Sequence, residues 1–342
     1  MKLPRHAEIW APGYFRSRMA LGRWRPGPGP VRVWVAITDH YEPYWHNTDD
    51  GLARERVARW RQRWPEVAAR NVDSAGKPAC YSFFYPEEEY RPELLDPLAE
   101  MTADGIGDVE IHVHHDGDTE AAFVERMEGF LETLERRHGL LRRVEGRRVF
   151  GFIHGNWCLD NSRPDGRWCG LNNEITLLER MGCYADFTMP SGPSPTQARQ
   201  LNEVYWAVDD PARPKSYDTG PRYGRGESGG AGRLLMIPGP FGLRWGGGRV
   251  LPRMDTGELA GYDAPGADRA RVWLAVAPRI GNDIFVKLYS HGTQEKNSAM
   301  LFEGGGLDTL YGGMAAECRA RGWEYRFVSA WEMYRAVTGA AA

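Results

Sequence analysis

Asp108–Thr119 reads D-V-E-I-H-V-H-H-D-G-D-T. His112, His114, His115 and Asp118, all good ligands for divalent metals, fall within seven residues, with Asp116 among them. Ile111 and Val113 alternate with His112 and His114, so a strand puts the two histidines on one face and the apolar pair on the other. The polar run H-D-G-D ends that strand, and Thr119 opens a helical pattern. Metal ligands at the carboxyl end of a strand, just before a helix, are where β/α folds place their chemistry. A solvated, histidine-rich loop is the plainer alternative. It requires three of the chain's nine histidines to gather by accident.

The flanks extend the same pattern. Upstream, Val31–Thr38 (V-R-V-W-V-A-I-T) is an alternating strand that stops at Asp39-His40. A helix follows from Gly51, with Val57, Trp60, Trp64 and Val67 at helical spacing, so both tryptophans are expected in the core. Ala79–Tyr85 is a second strand, and Leu94, Leu95, Leu98 and Met101 mark a short helix. Downstream of the histidines, Phe123, Met127, Phe130, Leu131 and Leu134 mark a strong helix that Gly139 stops. Strands follow at Val149–His154 and Cys183–Met189, with a helix at Asn172–Met181 between them. Later strands are expected at Leu234–Ile237, Asp283–Ser290 and Tyr325–Val328, with helices at Arg269–Val276, Leu307–Arg321 and from Ser329. Strands alternating with helices predict parallel β/α units, about seven or eight in number, closing into a barrel. Residues 1–30 read as an irregular lead-in that ends in P-G-P-G-P, and residues 31–342 as one barrel domain. Residues 209–232 and 245–266 read as glycine-rich loop insertions, the first of them a candidate lid.

Composition narrows the class. The chain has 342 residues, 42% hydrophobic and 26% charged, with a formal net charge of −3. That is an ordinary globular balance without the basic surface a nucleic-acid partner needs. No stretch is long enough to span a bilayer, and the start M-K-L-P-R-H-A-E-I-W-A-P-G lacks an apolar h-region. A cytoplasmic protein is expected. The five cysteines, Cys80, Cys158, Cys169, Cys183 and Cys318, are odd in number and lack CxxC spacing. Reduced thiols in packing roles are expected, not a disulfide framework or zinc ribbon.

Four strand ends carry the candidates: Asp39-His40, His114 to Asp118, His154 with Asn156 and Trp157, and His291. A barrel gathers such ends at one face. The order of these motifs resembles the polysaccharide deacetylase (NodB-homology) family, metal-dependent N-deacetylases built on a distorted (β/α) barrel. V-A-I-T-D-H stands where that family has two acidic residues, a catalytic base and a metal ligand, matching Asp39 and His40. E-I-H-V-H-H-D-G-D stands where it has E-I-x-x-H and a second ligand histidine, matching Glu110, Ile111, His114 and Asp118. K-L-Y-S-H-G matches the late motif with its catalytic-acid histidine at His291. Two substitutions set this chain apart, His40 for an acid and Asp118 for a histidine, which preserve a set of two histidines and one aspartate. Asp39, His112 and His114 form an alternative set, and Glu42 is a further candidate. The family's arginine-proline motif is absent in its usual form, with H-G-N-W at His154–Trp157 in its region.

The resemblance implies hydrolysis of an acetyl or similar acyl group from an N-acetylated sugar or polysaccharide precursor. It implies one divalent metal, Zn first and Fe, Ni, Co or Mn also suited to such ligands. Asp39 is then the base and His291 the acid, with His154, Asn156, Trp157, Tyr41 and Glu42 toward substrate and Tyr44 and Trp45 as further aromatic faces. Two other classes compete: a different metal-dependent barrel hydrolase of amidohydrolase or phosphoesterase type, and a non-catalytic carbohydrate-binding barrel.

Overall fold

The computed structural model describes residues 3–46, 48–224, 229–245 and 252–339. In chain order the elements are α1 (Ala7–Gly22), β1 (Arg32–His40), α2 (Asp50–Arg70), β2 (Tyr81–Pro86), α3 (Pro92–Ala103), β3 (Gly107–Val113) and α4 (Glu120–His138). Then come β4 (Arg142–Val144), β5 (Arg147–His154), α5 (Glu174–Met181), β6 (Cys183–Asp186), β7 (Tyr205–Val208), β8 (Arg233–Met236), β9 (Gly242–Arg244), β10 (Arg253–Asp255) and β11 (Glu258–Leu259). The chain finishes with α6 (Ala267–Val276), β12 (Arg279–Ile280), β13 (Asp283–Ser290), α7 (Glu295–Leu301), α8 (Gly306–Arg319), β14 (Glu324–Val328) and α9 (Ala330–Thr338). The fold is mixed α/β with mostly parallel strand pairs. Among the described residues no helix is long and apolar enough to cross a membrane.

The chain divides into two compact units, each assembled from three segments. Unit 1 comprises Met1–Arg23, Pro86–Glu88 and Glu110–Pro238, and unit 2 comprises Trp24–Tyr85, Glu89–Val109 and Gly239–Ala342. The boundary at Val109/Glu110 falls inside β3.

In unit 2, β1 is the central strand. It pairs in parallel with β13 over Arg32↔Asp283 to Asp39↔Ser290. On its other side it pairs with β14 along its first half and with β2 at Thr38, Asp39 and His40. Its residues from Val35 onward are all buried, as a parallel strand covered on both faces requires. Against this sheet α2 buries Ala53, Val57, Trp60, Trp64 and Val67, a 3.6-residue stripe. Its start is capped by Asp49, whose carboxylate accepts the Leu52 N–H at 2.9 Å. Both tryptophans are fully buried, as their spacing predicted.

In unit 1, β5 pairs in parallel with β3 and β6, β6 pairs in parallel with β8, and β7 runs antiparallel to β8. Helix α4 is capped by Thr119, buries Phe123, Met127, Phe130, Leu131 and Leu134, and ends at Gly139 with φ of 64°. The alternation in β3 is real, but both of its faces are buried, so its polar face is an internal one.

The structure departs from expectation in several places. The lead-in is not irregular throughout: α1 forms across Pro12 and Gly13, in spite of the hydrogen bond that an interior proline removes. Gly13 is needed there, since a Cβ would lie 1.9 Å from the Arg199 carbonyl oxygen. The stretch 209–232 contains the short helical turn Ser216–Asp218, and its ends meet through the Asp209 N–H to Gly232 C=O bond at 2.9 Å. The stretch 245–266 contains β10, which pairs with β9, and β11, which adds to β13. Residues 225–228 and 246–251 of these two stretches lie outside the described residues. β6 stops at Asp186, short of Met189, where the Asp186 carboxylate takes over by accepting the Thr188 N–H and hydroxyl.

Candidate active site

The register of β1 and β13 sets the geometry in unit 2. With Asp39 opposite Ser290, the two parallel strands end level, and each is followed or finished by a histidine. The His40 and His291 rings lie 4.7 Å apart at 35°. The Glu42 N–H bonds back to the His40 carbonyl at 3.1 Å, a tight turn that brings Glu42 beside His40. His40, Glu42 and His291 then offer ligand atoms all within 4.8 Å of one another, a set that could hold a metal ion. His40 and Glu42 are buried, whereas His291 is half-buried.

Asp39 stands beside this group and is fully buried. Its two oxygens accept the Gly292 N–H at 2.8 and 3.1 Å, and Oδ2 accepts the Tyr81 hydroxyl at 2.5 Å. Gly292 makes this approach possible: a Cβ there would meet Asp39 Oδ2 at 2.2 Å and Trp60 at 2.4 Å. Burial drives the Asp39 pKa up to about 7, against the pull of the Gly292 N–H and the Tyr81 hydroxyl, with Glu42 adding to the rise. A carboxyl so placed can accept or donate a proton near neutral pH. Tyr41, expected to face substrate, packs inside unit 2. It is fully buried, edge-on to Phe83 and Trp60.

Unit 1 holds the other expected residues. Glu110 is fully buried and structural: it accepts from Arg142, from the Tyr184 hydroxyl at 2.6 Å and from the Gly151 N–H. His112 is fully buried, its ring edge-on to that of His114 at 4.7 Å. His114 pairs through Nδ1 with Glu88. It lies against Gly155, where a Cβ would come 2.3 Å from its ring. Asp118 takes Arg126 Nη2 at 2.5 Å and stands 3.1 Å from His115 Nδ1. Asn156 and Trp157 are half-buried on the loop after β5. His154, expected to touch substrate, is fully buried and has no open face to offer.

His154 belongs to a different group, formed with His115, Cys169 and Glu174, which could hold a metal ion. All four are buried, and their ligand atoms lie within 4.8 Å of one another. His115 Nε2 is 3.2 Å from Glu174 Oε1, and Cys169 Sγ is 3.4 Å from Glu174 Oε2. Burial drives His154 down to about 3, leaving a neutral imidazole. Burial opposes the charge on Glu174, but the two histidines and the Asp160 N–H outweigh it and hold the carboxyl well below its usual range. Burial, and then Glu174, push the Cys169 thiol up.

Sequence reading places Cys169 among the packing thiols and does not single out Glu174. Cys169 carries no CxxC partner, and Glu174 is the first residue of α5, where an acid is expected merely to complement the helix N-terminus. The spacing C-G-L-N-N-E places a thiol and a carboxylate on either side of one short turn, and that was the available signal.

No protein-family model matches the chain, and no curated protein matches it at a significant level.

Proposed function

We propose that the chain is a metal-dependent hydrolase of the polysaccharide deacetylase kind, removing an acetyl group from an N-acetylated sugar on a distorted (β/α) barrel. The observation that carries the reading is Asp39 beside the His40–Glu42–His291 group at the level ends of two adjacent parallel strands. Two imidazoles and one carboxylate are a donor set that suits zinc or another first-row divalent ion and leaves room for further ligands. A divalent ion there would supply a Lewis acid for the acyl carbonyl and a more acidic water.

The protein's own groups do the rest. His40 and His291 orient around the reacting centre, and Glu42 supplies the negative charge of the set. His291, expected as the acid from the resemblance, is assigned here with the ligands because its ring lies beside His40. Asp39 takes the proton of the attacking water at a carboxylate oxygen, and the same oxygen then delivers it to the departing amine. Gly292 and Tyr81 hold that carboxylate in place for both transfers. Tyr44 and Trp45, half-buried just beyond Glu42, supply aromatic faces for a sugar ring. All five cysteines are free and buried, which supports a reducing compartment and hence a cytoplasmic, nucleotide- or lipid-linked sugar as substrate.

The test is acetate release from a panel of N-acetylated sugars, run beside elemental analysis. Wild type should release acetate. Asp39→Asn should keep its metal and lose roughly 100- to 10,000-fold in turnover. His40→Ala should lose one metal equivalent together with activity. Wild-type turnover in Asp39→Asn, or His40→Ala with full metal and full activity, overturns the assignment.

A further inference from the structure

Unit 1 contains a buried group that the proposed hydrolysis does not use. Its members come from three places in the chain: His115 from the loop after β3, Cys169 from the loop after β5, and Glu174 from the start of α5. We propose that His115, Cys169 and Glu174 form a closed, structural zinc site that fastens residues 155–173 to the loop after β3.

The spacing fits a tetrahedral ion. Ligands at about 2.0–2.3 Å from zinc must be roughly 3.3–3.8 Å from one another. His115 Nε2 to Glu174 Oε1 is 3.2 Å, and Cys169 Sγ to Glu174 Oε2 is 3.4 Å. The remaining pair, His115 and Cys169, lies within 4.8 Å; Glu174 binding through both oxygens, which a carboxylate holds about 2.2 Å apart, gives four donor atoms in a distorted tetrahedron.

Charge fits as well. A divalent ion with one thiolate, one carboxylate and one neutral imidazole is formally neutral, which a dry interior favours. Two backbone N–H groups already face the sulfur. Cys169 Sγ accepts the Asn161 N–H at 3.2 Å and the Leu171 N–H at 3.5 Å. Binding releases the Cys169 proton to solvent and forms the metal–sulfur bond.

A carboxylate stands beside His115 as well. Asp118 lies 3.1 Å from His115 Nδ1, close enough for charge but without a hydrogen bond to that nitrogen, and Arg126 holds Asp118 at 2.5 Å.

His154 lines the same group without joining it. It is fully buried, and its Nε2 has no hydrogen-bond partner, with Glu174 Oε1 4.0 Å away. Its Nδ1 accepts the Asn156 and Cys158 N–H groups at 3.3 Å each, so the ring proton sits on Nε2. That makes His154 a donor aimed at the group and not a fourth ligand.

The loop is already docked for such a fastening. The Asp118 N–H bonds the Cys169 carbonyl at 3.0 Å, and the Trp168 N–H bonds the Asp116 carboxylate at 2.6 Å. Gly170, at φ of 105°, allows the approach, since a Cβ would fall 2.8 Å from the Asp118 nitrogen.

The test is cobalt substitution, with protein produced in cobalt-supplemented medium. Wild type should show a thiolate-to-cobalt charge-transfer band in the near ultraviolet. Cys169→Ser should abolish that band and remove one metal equivalent per chain. His40→Ala should leave the band intact, because the unit 2 group contains no sulfur; failure of the two assignments is therefore separable. Glu174→Gln, which preserves shape, should weaken or abolish the band if Cys169→Ser fails to fold. Cobalt-loaded wild type without a charge-transfer band overturns the proposal. So does a metal content that neither Cys169→Ser nor Glu174→Gln changes. The group would then be a metal-free ion-pair chain running from Glu174 through His115 to Asp118 and Arg126.

Discussion

At the scale of single residues, Gly292 constrains the active site most sharply. Its N–H holds both oxygens of Asp39, its carbonyl accepts the Trp60 indole N–H at 3.0 Å, and no Cβ fits between them. Gly292→Ala should therefore push Asp39 away from its donor and overpack Trp60. The expected outcome is a loss of about 1–3 kcal/mol in stability, read from the urea midpoint, with a much larger loss of hydrolysis. Unchanged turnover would show that Asp39 does not depend on this contact. Asp39, His40 and His291 were legible as a set because each lies at or just past the end of an alternating strand, where direction follows from parity. The burial of Tyr41 and His154 was not legible in the same way. Residue type announces polarity or aromaticity, but not how deeply the surrounding fold covers the side chain. Cys169 and Glu174 come from a loop and a helix start, where no periodicity tells which way a side chain points.

At the scale of elements, a fully buried ion pair ties the excursion between β9 and α6 to that helix. Arg269 and Asp255 are each about 1% exposed and bond through both nitrogen–oxygen pairs at 2.9 Å. The Trp273 indole N–H and the Gly257 N–H complete the shell of Asp255. Arg269 also donates to the Glu258 carbonyl, so it ties α6 to β11. Asp255→Ala leaves a guanidinium buried without its counter-charge and should destabilise the protein by roughly 3–5 kcal/mol. Chemical denaturation of the variant checks this, and a change under about 1 kcal/mol would mean that water or Asp263 replaces the lost carboxylate. Long periodic elements were readable: α2, α4, β13 and α9 fall close to where the sequence pattern puts them, and the structure closes the start of α9 with a Ser329–Glu332 capping box. The short strands β7, β9 and β10 were not. Runs of three or four residues in glycine-rich sequence are made by pairing with a distant partner, which local pattern does not encode.

At the scale of the whole chain, neither compact unit is a continuous piece of sequence. Composition marks boundaries between consecutive domains through linkers, but here one boundary runs through the middle of a strand, so no linker signal exists to be read. Unit 2 depends on residues from both ends. β1 takes β13 and β14 as partners, and the residues that pair are about 250 apart for β13 and further for β14. A chain stopped after Asn282 should therefore be markedly less soluble than the full chain, with β1 left without those partners. Comparing soluble fractions of the two checks the point, and a soluble shortened chain would show that β1 is protected by other means.

The same pairing sets a clock on biosynthesis. At about 5–20 residues per second, roughly 12–50 seconds separate the emergence of β1 from that of β13. For that interval Val33, Val35 and Ile37, among the most buried side chains of the finished protein, have no strand to lie against. The nascent chain must then be shielded by something other than itself, so yield in a cell should track ribosome-associated chaperone capacity and translation speed rather than the stability of the folded state.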